Sequence, residues 1–232
     1  MTILDTLADT ARIRVAEAKS KVSLDEIKAQ ALRTIALKQT LSDLIQPPSA
    51  ILQELQPSQS VENVTQIGNA VSASHFAFYD SLYNHSKRGK LGSKLSFICE
   101  VKKASPSKGI ISEDFDYLKI AKEYEQAGAA AISVLTEPSK FLGSDDYLRD
   151  ISHAVDTPII RKDFTVDAYQ IYEAKVLGAS AVLLICAILD EQTIKDFIEI
   201  ATTLKLDCLV EAHDEAEVRI ALAAGAQIVG VN

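Results

Sequence analysis

The 232-residue sequence is short of cysteine, of long apolar runs and of surplus positive charge, and each shortage removes a class of function. Its three cysteines, Cys99, Cys186 and Cys208, are odd in number, show no CxxC spacing and sit in apolar strand-like runs. They read as buried, reduced thiols and not as a disulfide framework or a metal site. No apolar run approaches the roughly 18 residues a membrane span needs, and Asp5 and Asp9 interrupt the first ten residues. A soluble chain with no signal peptide and a cytoplasmic location is the expectation. Lys and Arg total 24 against 32 Asp and Glu, a formal charge of -8. Nucleic acid and anionic membrane both demand a basic face, so neither is an expected partner. An anionic substrate would need a local cluster, for which Lys102, Lys103, Lys108 and Lys162 are candidates.

What the chain does have is core-forming material, 47% hydrophobic, enough for one large α/β domain. Residues 1–46 lack strand alternation and place Ile3, Leu4, Leu7, Ala8 and Ala11 at helical spacing. Ser23 and Glu26 fit a capping box that opens a second helix, which Pro47 and Pro48 stop. Residues 47–70 read as a polar connector, and Phe76, Phe78 and Tyr79 begin a further helix ending near the basic residues 87–90. Residues 1–95 therefore form a helical extension, and 96–232 the regular part of a single structural domain.

From residue 96 strand and helix alternate. The apolar runs are SFICEV (96–101), AAISVL (130–135), PIIRK (158–162), AVLLIC (181–186), DCLVEA (207–212) and QIVGVN (227–232). Markers Ile98, Ile132, Ile159, Val182, Cys208 and Ile228 lie 34, 27, 23, 26 and 20 residues apart, the spacing of repeated βα units and not of hairpins. Helical stripes fall between them: Tyr117, Ile120, Ala121 and Tyr124; Ile194, Phe197, Ile198 and Ala201; Val218, Ala221, Leu222 and Gly225. Gly128, Gly178 and Gly225 each sit where a left-handed cap would end a helix. No GxGxxG follows the first strand, and polar strand ends come from many strands and not from one switch point. The fold class is α/β, with about six βα strands of an eight-stranded barrel present.

The first polar residues after each run are Glu100 and Lys102, Lys162, Glu211 and Asn232. Strands one, three and five share side-chain layers in such a barrel, so their ends can converge on one mouth. Taken singly, each is a solvated strand end; together they make a candidate site. Two lysines and two carboxylates in a partly dry cleft let a lysine act as general acid while a glutamate takes or returns a proton. The Ser105, Ser107 and Lys108 loop offers hydroxyls, backbone N–H groups and a cation to a phosphate or carboxylate, or is an ordinary turn.

EVKKASPSKG (100–109), KFLGS (140–144), IIRKDF (159–164), LVEAH (209–213) and VGVN (229–232) together resemble indole-3-glycerol phosphate synthase, a tryptophan-pathway barrel. The resemblance runs from the leader helices to the last residue, and the leader is similar to the family's extra helices capping the barrel mouth. It implies closure of 1-(2-carboxyphenylamino)-1-deoxyribulose 5-phosphate to indole-3-glycerol phosphate with loss of carbon dioxide and water, and no cofactor or metal. By the same resemblance Lys102 and Lys162 are general acids, Glu211 the acid/base of dehydration, Glu100 the residue that orients Lys102, and Asn232 a hydrogen-bond partner of substrate oxygens. Phe141 and Phe164 would wall the anthranilate ring; Ser105, Ser107 and Lys108 would lie beside the anionic ends.

The chain departs from the family by ending at Asn232, the end of the sixth strand. The family's glutamate–serine pair on strand seven and the N–H groups of the last loops, most of its phosphate cup, are then missing. Either the sequence is a fragment of a longer chain, or its bare strand edges would need covering, by the leader, a homo-oligomer or a swapped assembly. Two other readings stay open: a Schiff-base aldolase-like barrel using Lys162, and a non-catalytic partial barrel acting as a binding or assembly subunit.

Overall fold

The computed structural model describes residues 2–45, 76–88 and 95–232. The 47–70 connector and the 89–90 end of the basic run lie outside the described residues. Helices α1 (Ile3–Lys21), α2 (Leu24–Ile45) and α3 (Ala77–Arg88) come first. Then follow β1 (Ile98–Val101), a hairpin of β2 (Ala104–Ser105) and β3 (Gly109–Ile110), α4 (Tyr117–Gln126), β4 (Ala131–Leu135), α5 (Asp145–Ala154), β5 (Ile159–Lys162) and α6 (Ala168–Leu177). The rest is β6 (Ala181–Ile185), α7 (Glu191–Thr203), β7 (Asp207–Ala212), α8 (Glu215–Ala223) and β8 (Ile228–Val231). All long strands are parallel, in one six-stranded sheet of order β1-β4-β5-β6-β7-β8. Each strand pairs with the next long strand in the chain, as right-handed βα units require.

Period-two alternation gives this sheet two apolar faces. Val101, Ile132, Val134, Ile159, Val182, Leu184 and Val210 face outward into the main core, against Leu148, Ile151, Ile171, Ile194 and Phe197 of the covering helices. Ala131, Ile160, Ala181, Leu183 and Ile185 face inward and form a smaller core with Phe78 of α3. Each large apolar side chain buried this way contributes about 1.5–3 kcal/mol.

Helix ends follow local chemistry. Ser23 and Glu26 close their reciprocal box, with Glu26 N–H donating to Ser23 Oγ at 3.3 Å and Ser23 N–H to Glu26 Oε2 at 2.9 Å. Gly128, Gly178 and Gly225 take φ of 84°, 96° and 93°, the left-handed turn expected of them. The turn after β1 has paired arms, Ala104 with Ile110 and Ser105 with Gly109, and so is the tip of a short hairpin. One sequence expectation needs correction. Leu222 is 58% exposed, because α8 turns Val218, Ala221 and Ala224 to the core instead.

The three leader helices take three separate places, where capping of the mouth was expected of them as a group. α1 lies at the C-terminal ends of the strands, held by Arg14 on Asp163 and Lys19 on Asp167. α2 packs along the outer face against α6, with Lys28 over the Tyr172 ring. α3 plugs the opposite end. There the Asp207 carboxylate accepts from the N–H groups of Phe76, Phe78 and Tyr79 at 3.3, 3.1 and 3.0 Å, and the Ser81 hydroxyl donates to the Ala130 carbonyl.

Candidate active site

Inward-facing residues at the C-terminal strand ends surround a cavity of about 400 Å³. Strand β1 delivers Glu100 and, just past its end, Lys102; β5 ends on Lys162; β7 carries Glu211; Asn232 follows β8. All five line the cavity with Phe141, Phe164 and Pro106, while Ile3, Leu4 and Leu7 of α1 roof it. The convergence follows from parallel strands sharing one side-chain phase, with Glu211 in register with Gly230 and Lys162 with Leu135.

The polar groups form two pairs. Lys102 Nζ donates to Glu100 Oε1 at 2.5 Å, and the second oxygen of Glu100 accepts from Ser133 Oγ at 3.2 Å. Lys162 Nζ lies 3.6 Å from Glu211 Oε2, and Asn232 Nδ2 donates to the other Glu211 oxygen at 3.1 Å. The side chains of Lys102, Glu100 and Lys162 are each about one third exposed and that of Glu211 16% exposed, so the groups are braced yet reachable. Phe141 and Phe164 stand with ring centroids 6.4 Å apart and planes at 44°, an apolar flank beside the charges.

Ser105, Ser107 and Lys108 are not brought into this cavity. They form the tip of the β2–β3 hairpin, where Ser105 Oγ accepts from the Lys108 N–H at 3.3 Å, and Ser107 and Lys108 are exposed. Only Pro106 of that stretch reaches the cavity wall.

Several supporting residues were not singled out from the sequence. Asp163 accepts both terminal nitrogens of Arg14, at 3.0 and 2.7 Å, and the Thr136 hydroxyl at 2.7 Å. Burial would push its carboxyl up, but Arg14 and Arg161 hold it below the usual range. Arg161 is itself buried, bonded to Thr136, Asp145, Glu173 and the Gln170 carbonyl. Glu137, fully buried, accepts from the Ser139 hydroxyl and the N–H groups of Ser139, Lys140 and Phe141, and so fixes the loop that presents Phe141. Gly143 is required in that loop, because a Cβ there would run into the Leu135 carbonyl. The signal for Arg161 and Asp163 was available: they flank Lys162, so alternation sends their charges toward an otherwise apolar face. Among the described residues no cluster of His, Cys, Asp and Glu is arranged to hold a metal ion, and no helix is long and apolar enough to cross a membrane. The thiols of Cys99, Cys186 and Cys208 are free; Cys186 is buried and the other two half-buried.

A family profile described as indole-3-glycerol phosphate synthase matches residues 41–232. Among curated relatives of that name, the protein of Ruminiclostridium cellulolyticum is 48% identical over 230 residues, 99% of this chain and 72% of that one. Those of Endomicrobium trichonymphae and Lachnoclostridium phytofermentans are 62% and 57% identical over 138 residues, 60% of this chain and 54% and 51% of theirs. The matched portions thus span from about half to under three quarters of these relatives' lengths.

Proposed function

The chain belongs to the indole-3-glycerol phosphate synthase family, and we propose that its cavity is built for that family's reaction, a carboxy-lyase step in tryptophan biosynthesis in the cytoplasm. The substrate is the anionic carboxyphenylamino-deoxyribulose phosphate. An ammonium group in the cavity protonates the ketone oxygen as the ring carbon bearing the carboxylate bonds to the carbonyl carbon. The carboxylate then leaves as carbon dioxide, its bonding electrons restoring the aromatic ring. In the second half a proton from an ammonium lets the new hydroxyl depart as water, and a carboxylate removes the proton whose loss completes the indole double bond. Lys102 and Lys162 are the donors and Glu211 the acid/base, with Glu100 holding Lys102 and Asn232 bonding the substrate's oxygens. Phe141 and Phe164 flank the aryl ring. None of these steps calls on a metal or cofactor.

The convergence of Glu100, Lys102, Lys162, Glu211 and Asn232 on one cavity beside two phenylalanines carries this reading. Ser105, Ser107 and Lys108 would act only if the hairpin tip folded over bound substrate. Strands β1 and β8, the sheet's two edges, would be covered by a further copy of the chain or by chain that completes the barrel.

The protein contains no tryptophan, so indole fluorescence from the product stands out against a tyrosine background. With the ribulose phosphate substrate supplied, Lys162→Ala and Glu211→Gln are each expected to reduce turnover by about 10²–10⁴-fold. Turnover unchanged in both variants would rule out these roles.

A further inference from the structure

A second cavity, this one lined by three lysines and no carboxylate, lies at the other end of the strands. Residues Ile35, Lys38 and Gln39 of α2, Lys175 of α6 and Lys205, between α7 and β7, line a space of about 330 Å³. Lys175 stands three residues before the Gly178 turn that leads into β6, and Lys205 two residues before β7 begins. Both therefore belong to the N-terminal ends of the strands, away from Lys162 and Glu211.

Lys175 is 93% buried by exposure, at 7% accessible, yet the charges that act on it are those of Lys38 and Lys205, both repulsive. Burial first, then those two neighbours, bring its ammonium down to about 8. Lys205 Nζ donates to Gln39 Oε1 at 3.0 Å, leaving the Gln39 amide nitrogen as a further donor, and the Lys205 backbone holds a left-handed φ of 54°. The carbonyl ends of α6 and α7 attract cations, which accounts for a lysine at each helix end. It does not account for a third on α2, nor for a lysine only 7% accessible whose charged neighbours are two further lysines. Three like charges around a cavity of this size are stable together when a multivalent anion sits among them.

We propose that Lys38, Lys175 and Lys205 form a binding site for a phosphate-class oxyanion, separate from the candidate active site. The lysines supply charge and the Gln39 amide a neutral donor, so the group bound is compact, tetrahedral and multiply charged: inorganic phosphate or the phosphoryl end of a metabolite.

The test is a titration of the isotope-labelled chain with inorganic phosphate at constant ionic strength, followed by residue-resolved NMR. Saturable shifts at Gln39, Lys175 and Lys205 are expected, with Lys175→Met and Lys205→Ala each weakening binding by about tenfold or more. Phosphate is also expected to raise the melting temperature of the wild type and not of either variant. Lys205 is exposed, so its variant reads the site even if Lys175→Met alters folding. Ribose 5-phosphate as a second probe separates the sources: saturation at lower concentration than inorganic phosphate identifies a phosphorylated metabolite, equal saturation the free ion. Shifts confined to the mouth around Lys102 and Lys162, no saturable shift at all, or wild-type binding by both variants would overturn the proposal. None of these readouts depends on turnover, so failure of the proposed reaction leaves this test intact.

Discussion

Asp163 lies between two cavity residues, Lys162 and Phe164, and its own carboxylate is 1% exposed, tied to Arg14 and Thr136. Its folded-state affinity for a proton is below the ordinary value, because two guanidinium groups outweigh the effect of burial. The sign follows from linkage: the carboxylate stabilises the fold at any pH above the ordinary aspartate value near 4, and that contribution is lost as pH falls through the lower folded value. Asp163→Asn is therefore expected to lose about 3 kcal/mol at neutral pH, since Arg14 would keep a largely buried charge without its counterpart, while Arg161 retains Asp145 and Glu173. Its melting temperature is also expected to fall less steeply than that of the wild type below pH 4. Parallel melting curves in which both proteins show the same acid limb would contradict this. Strand alternation made the inward-pointing Lys162 beside this residue legible, and the same rule carried an unused signal for Asp163 and Arg161 on the other face. It could not reveal Arg14, since a contact between residues 149 positions apart depends on where α1 lands.

At the scale of elements, the strands and their covering helices were legible because each βα unit satisfies itself locally: an apolar run, a polar end, a stripe at helical spacing and a glycine turn. The leader was legible only as helices. A helix carries its apolar stripe wherever it docks, and nothing in the stripe says which end of a barrel it covers. For α3 the deciding group is Asp207, at the start of a strand read as core, whose carboxylate caps the helix from across the fold. Asp207→Ala is expected to cost about 1–2 kcal/mol, as for loss of a helix cap. It should also open residues 77–88 to limited proteolysis while the strand-end cavity stays intact. Unchanged digestion of that segment would show that Phe78 alone holds α3 in place. For the stretch with Ser105, Ser107 and Lys108 the limit is a different one: Ser, Pro and Gly marked a turn, one of the two readings open for it, without saying whether its two arms pair.

For the molecule as a whole, a parallel sheet with two ends is the governing feature. Among the described residues, β1 and β8 each pair on one side only. Near them Leu95, Phe97 and Val231 are 69%, 68% and 77% exposed. Parallel sheets are stable when both faces and both edges are covered, so this arrangement favours association. Sedimentation of the chain across a range of concentrations is expected to show self-association that deepens with concentration. A single monomeric species throughout would mean that the edges are tolerated bare. Composition set the net charge, but the state of the edges depends on where strands lie in space, which the linear pattern does not encode.

The bond between Asp207 and α3 also bears on the order of assembly. Every strand of the sheet docks on the one made just before it, so the sheet can lengthen in step with synthesis on the ribosome. The amide groups of α3 instead wait for a carboxylate 128 to 131 residues further along the chain. Protection of the α3 amides in pulse-labelled refolding is therefore expected to lag behind that of β4, β5 and β6, with simultaneous protection as the contrary result. The helix that closes the floor of the sheet would thus be a late latch, waiting on the start of β7.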